Sequence, residues 1–306
     1  MEELPNVDPM ALPEPITLLG VVGDPVIELP LDLVFNELFA EKQQPYHFVK
    51  IHLRDVEKLG DVIKGASAMG FASLGITVPY KSAVLPYLDE IDESAAGVGA
   101  SNVVVFRDDG RAVGLQTDGD AIEAPMSANM DLAGRHVVVL GAGGAARGVV
   151  SRLARVGLRQ LTVAARRAEQ GQPVVDMIAD LGPADLVSSY LPWQGRLDIP
   201  IDTDVVVNAT SAGAAPALVE LDLNWDAMAQ VALAVDLVTR PRATPFLQRA
   251  HGLGIQTVDG IDMIVGIVSG FCEDLPMDVT RDEIDAIATR ISGKPILDRP
   301  LPLSES

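Results

Sequence analysis

The sequence predicts an α/β protein: an N-terminal α/β domain, then a doubly wound parallel sheet of the Rossmann type, with a cleft between them. Three observations carry this expectation. The chain has 306 residues, which at roughly 100–200 residues per domain suits two units that each bury a core. Short β-rich apolar runs alternate with amphipathic segments in two successive series. A glycine-rich turn sits between a strand and a helix at the head of the second series.

In chain order, Pro5, Pro9, Pro13 and Pro15 alternate with acids, so residues 1–17 read as a disordered tail. Thr17 to Val22 then reads as a strand, Leu31 to Lys42 as an amphipathic helix, Tyr46 to Ile51 as a strand and Val56 to Ile63 as a helix. This βαβα order implies a parallel sheet flanked by helices. A second series runs through His136 to Leu140, Gln160 to Ala164, Asp204 to Val207 and Val231 to Val235, with helical stretches between. Thr117 to Ala121 is the expected hinge. Ile261 to Glu273 and Thr280 to Ser292 read as helices returning to the first domain, and Leu297 to Ser306 as a second tail.

Composition narrows the function classes. Apolar residues make up 48% of the chain and charged residues 22%, so burial can offset the ordering entropy and global disorder is excluded. Cys272 is the single cysteine, which rules out a disulfide scaffold and fits a reducing, cytoplasmic setting. A net charge of −20 repels a phosphate backbone, so no nucleic acid partner is expected. No uncharged apolar stretch reaches the length of about 18 residues that a membrane span needs, and the acidic start lacks the apolar run of a signal peptide. His47, His52, His136 and His251 are scattered without ligand spacing, so no metal site is expected. The expected partner is a small-molecule substrate, bound by a monomer or homodimer.

The strongest local signal is His136 to Leu140 followed by Gly141-Ala-Gly143-Gly-Ala-Ala146 and a helical run. Gly141 permits the tight turn, Gly143 lacks the Cβ that would block a pyrophosphate, and Ala146 lets helix and strand approach closely. A nucleotide site of this kind usually has an acid about 20 residues on, to hold the ribose of NAD. This chain instead reads Ala165-Arg166-Arg167. Two guanidinium groups suit a 2′-phosphate, so NADP is preferred over NAD. The alternative is a solvated arginine turn, and Glu169 close by keeps that alternative open.

Two polar clusters interrupt the first domain. In Gly75-Ile-Thr77-Val-Pro79-Tyr80-Lys81, the proline ends a strand and the lysine is expected at a helix start, opposing the macrodipole. The other cluster is Gly114-Leu-Gln116-Thr117-Asp118. A lysine oriented by a carboxylate can take a proton from an alcohol as a hydride leaves. Taken singly, each residue is more often a surface lysine or an N-capping aspartate.

Together these residues resemble the shikimate/quinate dehydrogenases, in order from about Leu18 to about Ala286. Gly23-Asp-Pro25 is similar to the family's G-x-P turn, and Asn36 to Phe39 to its H-N-x-x-F helix with Phe35 in place of the histidine. Thr77 to Lys81 resembles N-V-T-x-P-x-K, Gly99 to Asn102 G-A-V-N-T, and Gln116 to Asp118 N-T-D. Asn208 to Gly213 resembles N-x-T-x-x-G, and Gly260 to Met263 G-x-x-M.

The resemblance implies an oxidoreductase transferring a hydride between NADP and a ring alcohol or ketone. Lys81 and Asp118 would form its acid–base pair, with Thr77 and Asn102 on substrate. The cofactor residues implied are Gly141, Gly143, Gly144, Ala145, Ala146, Arg166, Arg167, Asn208, Thr210, Ser211, Gly260 and Met263. Residues 18–120 with 261–306 would form the substrate domain, and 121–260 the NADP-binding domain.

The departures from the family pattern are concentrated on the substrate side. Where the family has H-S-x-S to grip a carboxylate, this chain has Glu28-Leu29-Pro30-Leu31. Gly75, Thr239 and Ile267 replace polar or aromatic residues of the pattern, and Gln116 replaces an asparagine. A carboxylate without donors is costly to bury, so shikimate itself should bind poorly. The competing class is a homologue that binds nucleotide without turnover, as a sensor or assembly module. Retention of Lys81, Asp118 and Asn102 argues against it.

Overall fold

The computed structural model describes residues 15–26, 29–273 and 275–293. Most of both expected tails lies outside the described residues, as does Glu28. Thr17, expected at the end of the first tail, instead opens a strand paired with Tyr46.

The first half of the chain contains β1 (Thr17–Gly23), α1 (Leu31–Glu41), β2 (Tyr46–His52), α2 (Leu59–Ala68), β3 (Phe71–Ile76), β4 (Glu90–Ile91), β5 (Val103–Phe106) and β6 (Ala112–Leu115). They form a six-stranded sheet in the order β2-β1-β3-β5-β6-β4. β1 pairs parallel with β2 and β3, but β5 runs antiparallel to β3 and β6. The sheet is therefore mixed, which corrects the expectation of a purely parallel one. The reason is a hairpin: Gly110 takes φ +84° and Arg107 N donates to Arg111 O at 2.9 Å, folding β6 back on β5.

α3 (Asp118–Asn129) leads to the second sheet, built from β7 (His136–Leu140), α4 (Gly144–Leu153), β8 (Gln160–Ala165), α5 (Ala168–Leu181), β9 (Val187–Pro192), β10 (Val205–Asn208), β11 (Leu233–Asp236), α6 (Pro245–Gly252) and β12 (Gln256–Val258). All pairings in it are parallel, in the order β12-β11-β10-β7-β8-β9. Counted from β7, this is the 3-2-1-4-5-6 order of dinucleotide folds, with its switch point between β7 and β10. Every residue of β7 is buried, as a central strand covered on both faces requires.

α7 (Gly260–Glu273) and α8 (Arg281–Ser292) follow. Ile261, Ile264, Val268 and Ile287 share a core with Leu19 of β1 and Val34 and Phe35 of α1, so both helices pack on the β1 side of the first sheet. α3 is clasped on both flanks. A Cβ on Gly119 would stand 2.5 Å from the Gly148 carbonyl of α4, and one on Gly266 of α7 would stand 2.4 Å from the Ala121 carbonyl. Only glycine permits backbones this close.

Candidate active site

Lys81 and Asp118 come from different parts of the first half yet form a buried ion pair. Their relative exposures are 8% and 1%. Lys81 does not start a helix. It lies in a run of turns after β3, where Val78–Pro79 is a cis peptide and a short 3-10 turn forms only at Leu85–Tyr87. The helix end beside Lys81 belongs instead to α4: a Cβ on Gly144 would lie 2.8 Å from Lys81 Cβ.

Asp118 opens α3 and is held from several directions. Its Oδ2 accepts from Lys81 Nζ, and Asn102 Nδ2 donates to its Oδ1 at 2.9 Å. Its own N–H donates to Gln116 Oε1 at 3.0 Å. Asn102 Nδ2 also donates to Thr117 Oγ1 at 3.0 Å, and Asn102 Oδ1 accepts from Thr117 N at 2.8 Å. Both amide hydrogens of Asn102 are thus engaged inside the protein, so it lines the cleft as a brace for the carboxylate. Gln116, longer than the asparagine of the family pattern, fits because Gly148 faces it; a Cβ there would meet Gln116 Cδ at 2.7 Å.

A cleft of about 540 Å³ joins this pair to the switch point of the second sheet. Thr77, Lys81, Asn102 and Asp118 line it, as do Leu29, Leu31, Gly75, Thr239 and Ile267. Across from them stand Gly141, Gly143, Gly144 and Ala145, then Arg166, Thr210, Ser211 and Met263.

This far wall fits a dinucleotide. Gly141 takes φ +111°, and a Cβ on Gly143 would meet no atom within 4 Å, which leaves open space where a pyrophosphate needs it. No side chain caps α4, so its first N–H groups remain available to an anion. Arg166 is exposed at the cleft and offers a cation for a 2′-phosphate.

Four expected cofactor residues do not line the cleft. Ala146 is fully buried between α4 and its sheet. Arg167 caps α5 with its backbone and approaches Glu169 at 3.8 Å. Gly260 is a close-approach site, where a Cβ would stand 2.3 Å from the Val238 carbonyl.

Asn208 is fully buried and organises the loop that follows it. Its Oδ1 accepts from Thr210 N and Oγ1 at 3.1 and 2.7 Å, and its Nδ2 donates to Asp236 Oδ1 at 2.9 Å. Thr244 Oγ1 donates to Asp236 Oδ2 at 2.6 Å. Burial pushes the Asp236 carboxyl up to about 7, against the hydrogen bonds that favour its charge.

Sequence reasoning missed Phe48, Phe271, Gln170 and Arg240, all of which line the cleft. Phe48 and Phe271 lie in apolar runs where nothing distinguishes a cleft wall from core. Phe35, noted only as a replaced histidine, also lines it, as does Trp193.

Comparison with known proteins agrees with this geometry. The family described as "Shikimate dehydrogenase substrate binding domain" matches residues 21–104. A shikimate dehydrogenase (NADP(+)) of Desulfitobacterium hafniense is 34% identical, over 80% of this chain and 87% of the relative. The 5-ketofructose reductase of a Gluconobacter strain superposes with a TM-score of 0.80 at 28% identity, covering 91% of this chain and 100% of that one. The quinate dehydrogenase of Corynebacterium glutamicum, solved with NAD, gives 0.76 at 27% identity, covering 89% and 98%. In sequence and in fold alike, the chain belongs to the shikimate/quinate dehydrogenase family of oxidoreductases.

Proposed function

We propose that this protein is an NADP-dependent dehydrogenase or reductase of a ring alcohol or ketone, with Lys81 and Asp118 as its acid–base pair. Residues 18–120 with the C-terminal helices form the substrate side, and 121–260 the nucleotide side. The observation that carries this reading is the buried Lys81–Asp118 pair on one wall of a cleft whose other wall is the Gly141 to Ala145 turn.

The nicotinamide, when bound, supplies or accepts the hydride. The remaining work falls to the chain. In the reducing direction Lys81 Nζ gives a proton to the carbonyl oxygen as that oxygen becomes a hydroxyl; in the oxidising direction it takes the proton back. Asp118 Oδ2 fixes the ammonium, Asn102 Nδ2 holds the other carboxylate oxygen, and Gln116 Oε1 accepts from the Asp118 backbone N–H, so that the carboxylate cannot turn away. The α4 N–H groups and Arg166 hold phosphates, and Met263 together with the Ala209 to Ser211 loop borders the inner cleft. Leu29 and Leu31 offer no donor to a substrate carboxylate, which supports a substrate other than shikimate.

The test is to follow NADPH absorbance with a panel of cyclic ketones and alcohols for wild type and Lys81→Ala. Turnover lost in the variant, with NADPH-induced thermal stabilisation retained, supports the reading; saturation at 100 times Kd corresponds to about 2.7 kcal/mol. Stabilisation by NADPH with no turnover on any compound would instead favour a nucleotide-binding sensor.

A further inference from the structure

At the end of the cleft away from the nucleotide turn, the wall is hydrocarbon from four separate elements. Leu31 and Phe35 come from successive turns of α1, Phe48 from β2, and Ile267 and Phe271 from successive turns of α7, with Leu29 from the segment before α1. Phe35 stacks on Phe48 at 4.5 Å between centroids and 6° between planes, and meets Phe271 edge-on at 5.6 Å. The stack is held in place from behind. Asn36 Nδ2 donates to Phe48 O at 2.9 Å, and Phe48 N donates to Asn36 Oδ1 at 2.8 Å, locking α1 to β2. Among the described residues, no charged side chain lines this end. The lining charges are Lys81 and Asp118 at the reacting end and Arg166 and Arg240 toward the nucleotide side.

We propose that this end is a built hydrocarbon subsite, and that the substrate is a neutral cyclic ketone or secondary alcohol carrying an alkyl or aryl substituent remote from the reacting carbon. The inference rests on the acid–base role proposed for Lys81 and deepens it. With the reacting oxygen at Lys81 Nζ, the rest of the ring points to the hydrocarbon surface that the described residues offer at this end. An anionic substituent there would give up its water and find no charged partner among those residues. A hydrocarbon substituent would displace water from a wall already fixed by its own packing. Each methylene buried gains about fourfold in binding.

The first experiment measures kcat/KM for NADPH-dependent reduction of 4-methyl-, 4-propyl- and 4-phenylcyclohexanone against 4-oxocyclohexanecarboxylate. The expected result is a rise of about fourfold per methylene from methyl to propyl, and a carboxylate at least 100-fold poorer than the propyl ketone. In Leu31→Ser, and independently in Ile267→Gln, the ratio of kcat/KM for the propyl ketone to that for the methyl ketone should shrink toward one. Equal rates across the series, or a preference for the carboxylate, would overturn the subsite while leaving the acid–base reading intact. Calorimetric titration of the NADP⁺-loaded protein with 4-propylcyclohexanone and with 4-oxocyclohexanecarboxylate, pairs in which no hydride is available to transfer, reads the subsite without turnover. At least tenfold tighter binding of the propyl ketone supports it, and equal or reversed affinities refute it. No turnover on any ketone together with that preference would sink the acid–base reading alone.

Discussion

Gly144 of the nucleotide turn and Lys81 of the first half touch so closely that a Cβ on Gly144 would stand 2.8 Å from Lys81 Cβ and 3.3 Å from its Cδ. The turn proposed to receive phosphate is thereby also the backstop of the side chain proposed to transfer the proton. Gly144→Ala tests this. By helix propensity alone, alanine at this first helical position would add up to about 1 kcal/mol of stability. The contact predicts the opposite, a lower Tm and a fall in kcat of about tenfold or more, read by thermal melts and steady-state rates.

Asn102 braces Asp118 and Thr117 at once. Asn102→Ala leaves a buried carboxylate oxygen and a backbone N–H with fewer partners. The expected cost is about 2 kcal/mol in denaturant unfolding and a marked loss of kcat, with NADPH affinity unchanged. Loss of NADPH binding alongside kcat would show that Asn102 does more than hold the carboxylate.

The two arginines after β8 should differ. Arg166 lines the cleft, whereas Arg167 does not and approaches Glu169 at 3.8 Å. Arg166→Ala should weaken NADPH about 10–100-fold, the range of a lost charge-assisted hydrogen bond, and leave NADH nearly unaffected. Arg167→Ala should change either by less than about threefold. Fluorescence titration with both nucleotides reads all four combinations.

Asp236 makes stability depend on pH. Its carboxyl is raised from 3.8 to about 7 by burial, so between those values the native state holds a proton that the unfolded chain has released. Its contribution is full below about pH 4, declines as pH rises through about 7, and is constant above that; the change is on the order of a few kcal/mol. In Asp236→Asn this decline should vanish, so the wild-type advantage over the variant shrinks from pH 5 to pH 8. A difference independent of pH in urea unfolding would refute the raised value.

The legible parts of the molecule were those whose chemistry is local. The Gly141 to Ala146 turn states its geometry in its own residues, Lys81 and Asp118 stand out because their clusters interrupt apolar runs, and Asn102 is marked by the family resemblance. What was not legible depended on neighbours far along the chain. The helix end beside Lys81 belongs to α4, more than sixty residues away, so it could not be inferred from the turn that carries the lysine. The brace that Asn102 gives Thr117 and Asp118 depends on residues far along the chain, so its own motif could not show it. Phe48 and Phe271 are unmarked in their runs, because a cleft wall and a core face share the same apolar period. The antiparallel hairpin was readable from Asp109-Gly110 but is easily overlooked beside strongly alternating βα signals.

The glycine clasp on α3 bears on how such a cleft could admit its ligands. A helix whose first turn is pressed backbone to backbone against α4 on one flank and α7 on the other would act as an axle there. Breathing of the two sheets would therefore be rotation about α3, and points near an axle sweep the shortest arcs. Asp118 is mounted at the end of that axle, so its carboxylate would keep its bearing while the mouth widened for entry and exit.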